Sequence, residues 1–205
     1  DLNKLNFAPR LGFAWDPFKS GKTSVRGGFG IFNNNYLGNA ALMASYLDKR
    51  RSVLIFSPGY PNPFSEGIPA DLPVDARTFQ PNQPLPRSYI FTLGFQREIR
   101  GGWLVSADYV NTKGRNLIRI VDLNPIVPPD FVRVDPSRGY LWQIASTGFS
   151  SYRGLLVSLE KRFSRWVHLG GSYTLSTYKT TNEAEFTYHQ EDRTPNESYG
   201  YGEHD

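Results

Sequence analysis

The feature that most constrains this chain is a two-residue alternation of apolar and polar side chains, repeated in six segments. Successive side chains of a strand point to opposite sides, so each segment reads as a strand with one apolar and one polar face. Phe7, Pro9, Leu11, Phe13 and Trp15 alternate with Ala8, Arg10, Gly12, Ala14 and Asp16. Val25, Gly27, Phe29 and Ile31 alternate with Ser24, Arg26, Gly28 and Gly30. Tyr89, Phe91, Leu93 and Phe95 stand against Ser88, Ile90, Thr92, Gly94 and Gln96, and Trp103, Val105, Ala107 and Tyr109 against Leu104, Ser106, Asp108 and Val110. Leu155, Val157, Leu159 and Phe163 stand against Gly154, Leu156, Ser158, Glu160 and Arg162, with Lys161 interrupting the apolar row. Val167, Leu169, Gly171, Tyr173 and Leu175 stand against His168, Gly170, Ser172, Thr174 and Ser176. Composition agrees: 15% aromatic residues with 19 Gly and 15 Pro suit strands and turns, and disfavour both a helical bundle and a disordered chain.

The connections between these segments alternate in length. Asp16 to Lys22, Arg100-Gly101-Gly102 and Ser164-Arg165 are short, whereas about 34–87, about 112–150 and the polar tail from 177 are long. A sandwich has no reason to gather every long connection at one end. An up-and-down membrane barrel does, with short periplasmic turns and long outer loops. The lack of an 18-residue apolar run excludes a transmembrane helix but not a barrel, whose alternating strands average to ordinary hydropathy. The expected fold is therefore all-β: an antiparallel up-and-down meander of about six strands, in hairpins 7–32, 88–110 and 151–176, forming part of a larger transmembrane β-barrel. Trp15, Phe18, Trp103, Phe163 and Trp166 near the short turns, and Tyr36, Tyr89, Tyr109, Tyr152, Tyr173 and Tyr178 toward the long loops, resemble two interfacial girdles. Phe13, Phe91, Phe95, Val157 and Leu169 are expected toward lipid, with Phe95 nearer the interface than Val157. Arg10, Arg26, Asp108, Glu160 and His168 are expected toward a wet lumen. The alternative is a soluble secreted β-sandwich that binds carbohydrate or a cell surface, which needs a second apolar sheet over the first.

Three stretches carry a family resemblance. NFAPRLGFAWDPFKSGKTSVRGGFGIFNNN (Asn6 to Asn35), SYIFTLGFQREIRGGWLVSADYVNTKGRNLIRIVDLNP (Ser88 to Pro125) and SSYRGLLVSLEKRFSRWVHLGGSYTLSTYKT (Ser150 to Thr180) resemble barrel hairpins of TonB-dependent outer-membrane receptors. They are most similar to the Oar-like group, which carries a carboxypeptidase-regulatory-like domain. The resemblance implies a bacterial outer-membrane location, contact with lipid, and active uptake of an extracellular ligand of unknown identity. It also implies partners: the other strands and plug of the same receptor, and TonB through an N-terminal part. Such barrels have about 22 strands, so the chain is expected to be an internal piece of one, with signal peptide, plug and TonB box elsewhere.

Motifs for chemistry do not survive inspection. Ser20-Gly21-Lys22-Thr23 mimics the end of a phosphate-binding loop, but Asp16 stands where glycine is needed and a strand follows instead of a helix. Gly27-Gly28-Phe29-Gly30 lacks the third glycine of a dinucleotide motif, since Asn33 holds its place. His168, His189 and His204 lack metal-ligand spacing, and the chain has no cysteine, which removes disulfides and thiolate chemistry. Asp108 and Glu160 share a face, but as hydrated charges paired with Arg10, Arg26 or Arg162. No catalytic residue, metal or cofactor is expected, and no enzyme activity. A net charge of +4 and the short Lys49-Arg50-Arg51 run do not make a nucleic-acid surface. Ligand contact is expected in the long loops, where Tyr46, Tyr60, Phe64, Tyr140 and Trp142 offer contact area and Arg50 and Arg51 directed hydrogen bonds. The one plausible helix is 37–48.

Overall fold

The computed structural model describes residues 6–34, 59–62, 64, 67, 73–127, 129–130, 132–163, 166–181, 188–189 and 200–201. The expected helix at 37–48 lies outside them, as do Tyr46, Arg50 and Arg51. Every regular element among the described residues is a strand: β1 (Arg10–Trp15), β2 (Thr23–Asn33), β3 (Ala76–Phe79), β4 (Arg87–Ile99), β5 (Trp103–Asp122), β6 (Ile126–Val127), β7 (Val132–Arg133), β8 (Leu141–Arg162), β9 (His168–Thr180), β10 (Tyr188–His189) and β11 (Gly200–Tyr201). The long strands pair antiparallel in chain order, β1-β2-β4-β5-β8-β9, and β11 continues the sheet beyond β9. This is the expected meander of six.

The short turns are set by their residues. In the first, both carboxylate oxygens of Asp16 accept backbone hydrogen bonds, Oδ1 from Phe18 N at 3.1 Å and Oδ2 from Gly21 N at 2.7 Å. Gly21 takes φ +67° there, a left-handed conformation that glycine adopts without strain. The residue that spoils the phosphate-loop motif is thus the one that builds the turn. Between β4 and β5, Gly101 and Gly102 take φ +82° and +74° in succession.

The upper ends differ from expectation. β5 continues to Asp122 and β8 begins at Leu141, so much of the stretch expected as loop at 112–150 is strand. Two irregularities fall where this extension begins. Asn116, at φ +57°, adds one residue to β5 between Arg115 and Leu117, and a second register shift follows before Arg119. Such bulges re-aim side chains and increase twist. Beyond them the flanking strands have ended, since β4 starts opposite Arg115 and β9 stops opposite Ser150. Segments from the long connections take their place. β10 pairs parallel with β5 (Tyr188 with Ile120), and β3 pairs parallel with β8 (Ala76 with Leu141). Open strand edges are thereby paired.

The apolar core sits in this extension. Ile118, Ile120 and Ile144 form one buried cluster with Trp142 packed against it, and Ala145 is buried beside Ile144. Below it, no apolar side chain among the described residues is fully buried. Side chains secure the surrounding backbone. Asp75 Oδ1 accepts from Tyr140 N (2.8 Å), Gln80 Oε1 from Ser146 N (2.9 Å) and Thr181 Oγ1 from Phe149 N (2.9 Å). Replacing Ile120 or Ile144 with Ala should each cost roughly 2–5 kcal/mol, the range for deleting a buried aliphatic side chain. Urea unfolding of the protein that carries this chain should show it, and Val157→Ala on the open face should cost clearly less.

Candidate functional site

The strand register divides the sheet into two chemically distinct surfaces. Directly opposed residues of an antiparallel pair share a face. One row runs Trp15, Val25, Phe95, Ala107, Val157 and Tyr173 across six strands, and the next runs Phe13, Gly27, Leu93, Tyr109, Leu155 and Leu175. Leu11, Phe29 and Phe91 lie in the row above, and Ile99 and Leu169 at the turn end. Many large apolar side chains of this surface are 40–76% exposed, Phe13, Phe91, Phe95, Val157 and Leu169 among them, while Val25 and Tyr109 are half-buried. A contiguous apolar patch of this size has to be covered by something outside the chain. Among the described residues the long strands form one sheet, and the small pair β6-β7 is a separate one. Lys161 interrupts the row without breaking it, because its ammonium sits 4.9 Å from the Trp103 ring centroid and 4.6 Å from that of Phe163.

The opposite surface is polar. The register places Arg10, Arg26, Asp108, Glu160 and His168 all upon it, interleaved with Gly12, Gly28, Thr92, Ser106, Ser158 and Ser172. Arg26 Nη2 donates to both carboxylate oxygens of Asp108, at 2.9 and 3.2 Å. These residues lie on β2 and β5, with β4 between them, and the bridge passes over Gly94. A Cβ at Gly94 would collide with the Asp108 carboxylate and the Arg26 side chain. Glycine is required here by close approach, not by turn geometry. Glu160 and His168 stand 3.5 Å apart at the turn end, beside a cavity of about 350 Å³ that Arg162 and Leu104 also line. Arg10 lies over the Phe32 ring at 4.3 Å.

At the long-loop end, Tyr140 and Trp142 come together in a stack of four. Their ring centroids lie 4.9 Å apart with the planes at 28°, and the Arg77 guanidinium is 4.1 Å from the Trp142 centroid and that of Arg133 3.9 Å from the Tyr140 centroid. Arg133 also donates to Asp122 Oδ2 (3.2 Å) and to the Asn124 carbonyl (2.6 Å). Asn124 in turn donates through Nδ2 to the carbonyls of Asp135 (3.0 Å) and Gly139 (2.8 Å). Hydrogen bonds from the Ser137 hydroxyl and amide, aided by Arg138, hold the exposed Asp135 carboxyl below its ordinary pKa. These two aromatics, expected as ligand contacts, pack against each other where β3, β7 and the start of β8 meet. Tyr60, 99% exposed, and Phe64, 54% exposed, are left facing outward. The partners Arg77 and Arg133 escaped sequence reading, because no local pattern marks an arginine that lies over a ring, and Arg77 meets its ring on a distant strand.

The expected girdle at the long-loop end is only partly formed. Tyr109 and Tyr173 sit in the middle rows of the apolar surface, and Tyr152 and Tyr178 are on the polar one. Tyr36 lies outside the described residues, and Tyr89 keeps its expected place, joined by Tyr201 in the same row. The depth assignment of Phe95 also changes. Phe95 and Val157 flank Ala107 in one row, four and five residues from the turn-side ends of their strands at Ile99 and Arg162.

A family model described as an outer membrane beta barrel domain matches residues 1–205. Among solved structures, the outer membrane transporter YddB from Escherichia coli superposes with a TM-score of 0.58 at 13% identity, over 86% of this chain. The chain spans 20% of the length of that protein. No curated protein sequence matches.

Two measurements check this geometry. Val157→Arg and Phe95→Arg should cost alike, roughly 2–4 kcal/mol, whereas Leu169→Arg beside the turn should cost about 0–1 kcal/mol, read by folding titration into lipid vesicles. The half-exposed Arg26–Asp108 pair should show a coupling of about 0.2–1 kcal/mol in a double-mutant cycle. Gly94→Val should abolish that coupling.

Proposed function

Because the chain belongs to the outer membrane beta barrel domain family and resides in the bacterial outer membrane, we propose that it is a wall segment of a TonB-dependent receptor of the Oar-like group, taking part in ligand binding and active uptake. The observation that carries this reading is the two-faced sheet: an uncovered apolar surface for lipid and a polar surface crossed by the Arg26–Asp108 bridge. The polar surface suits the hydrated inside of a barrel, where a plug of the same receptor would contact Arg10, Arg26, Asp108, Glu160 and His168. The outer membrane transporter to which the fold is similar supports a transport role for the whole protein. The reading assigns no reaction to the chain.

Recognition belongs to the long-loop end, on the parts that packing leaves open. Tyr60 and Phe64 meet that condition, and Tyr46, Arg50 and Arg51 are neighbours in sequence. A deletion reaching to Pro81 would remove β3 and its bonds to β8, and so would test stability as much as binding. Deleting 60–72 in the intact receptor spares β3. Uptake should then be lost while assembly and surface display persist. Unchanged uptake would remove this loop from recognition, and uptake that survives loss of TonB would overturn the active-transport reading.

A further inference from the structure

At the long-loop rim of the apolar surface, we propose a binding site for the phosphorylated headgroup of an outer-leaflet lipid, formed by Arg87, Lys113, Arg115, Arg153 and Lys179. The inference rests on membership of the outer-membrane barrel family and on the register, and is independent of the uptake reading. All five residues stand on the lipid-facing surface. Lys113 is opposite Tyr89 and Ser151, Lys179 opposite Ser151 and Tyr201, and Arg153 opposite Asn111.

Their depth is the first argument. A tilted barrel strand crosses the hydrocarbon in about 9–11 residues. Counted from the turn-side ends at Ile99, Trp103, Arg162 and His168, Arg153 lies at 9, Lys113 at 10, Lys179 at 11, and Arg87 and Arg115 at 12 residues. The cations begin where the strands leave the hydrocarbon, and the short turns put this rim on the outer side.

Their pairing is the second. Arg87 and Arg115 are direct cross-strand partners, an arrangement of like charges that destabilises a sheet unless an anion lies between or above them. None of the five forms an ion pair with a carboxylate among the described residues, and the rows that carry them contain no acid. The third argument is shape. Arg153 and Lys179 line a cavity of about 300 Å³ with the hydroxyl-bearing Ser151, Thr177 and Tyr201, and the Lys179 ammonium is held 4.4 Å from the Tyr201 ring centroid. Fixed cations with hydroxyl donors at a hydrocarbon edge match a phosphate whose acyl chains run down the apolar surface.

The test uses the whole protein that carries this chain, folded in detergent, with diphosphorylated lipid A, its dephosphorylated form and inorganic phosphate as probes. Native mass spectrometry reads bound lipid, and the mobility of the unheated barrel on a gel reads folding. Diphosphorylated lipid A should be retained and the dephosphorylated form lost. K113Q/R153Q/K179Q should weaken binding by roughly a hundredfold, given that each basic side chain near an anionic membrane surface contributes several-fold. K113R/K179R should retain binding, and Arg10→Gln on the opposite surface should leave it unchanged. If the triple variant does not fold, R153Q alone should weaken binding several-fold. Equal binding by the folded charge-removed variants would overturn the proposal. So would equal retention of the dephosphorylated form, or displacement of lipid A by inorganic phosphate at matched phosphate concentration.

Discussion

A sheet one layer thick has to have both faces covered, and the substance that covers this one changes along its strands. β5 and β8 are 20 and 22 residues long, about twice what a hydrocarbon crossing needs. Over the turn-side half, the apolar rows are left open because lipid covers them, and only there does the two-residue alternation hold cleanly. Over the far half no lipid remains, and the chain must cover itself. The buried cluster at Ile118, Ile120 and Ile144 starts shortly past the rim of cations, and β3 and β10 arrive at the same level to pair the edges that β9 and β4 have vacated. The core and the crossing strands therefore answer one requirement.

That upper half is held by polar groups as much as by apolar ones. The side chain of Asp122 is only 1% exposed, yet it accepts from Asn124 N at 3.0 Å and Leu141 N at 3.1 Å and faces Arg133. A buried carboxylate with three donors is compensated, and removing one partner would leave a charge in a poorly hydrated place. The same logic applies to Asn124, whose amide serves the carbonyls of the segment after β7 while its oxygen accepts from Asp135 N at 2.7 Å. Backbone that would otherwise lie unpaired between loops is satisfied by Asp and Asn side chains.

The sequence was legible where the two faces meet different media, and illegible where they do not. Alternation from Phe7 to Ile31, from Ser88 to Val110 and from Gly154 to Ser176 is local, so it located the long strands and their two surfaces. It fails at Leu117 to Val121 and at Ile144 to Ser146, where consecutive residues are buried on both sides and no period remains to be read. Those stretches read as loop for that reason. The pairings of β3 and β10 are parallel and skip over intervening strands, so no short-range signal foretells them. The five rim cations were each visible as residues. Their convergence depends on the register of four strands, which the sequence alone does not supply.

In the stack of Arg77, Trp142, Tyr140 and Arg133, each ring has its neighbour's centroid 4.9 Å away and a guanidinium within 4.1 Å of its own centroid. Cation–π contacts of this kind strengthen as water is excluded, and Trp142 also leans on the isoleucine cluster. The stack thus ties β3, β7 and the start of β8 together. The stacked residues therefore join three strands at the start of the long-loop end, while Tyr60 and Phe64, on the N-terminal side of β3, stay exposed.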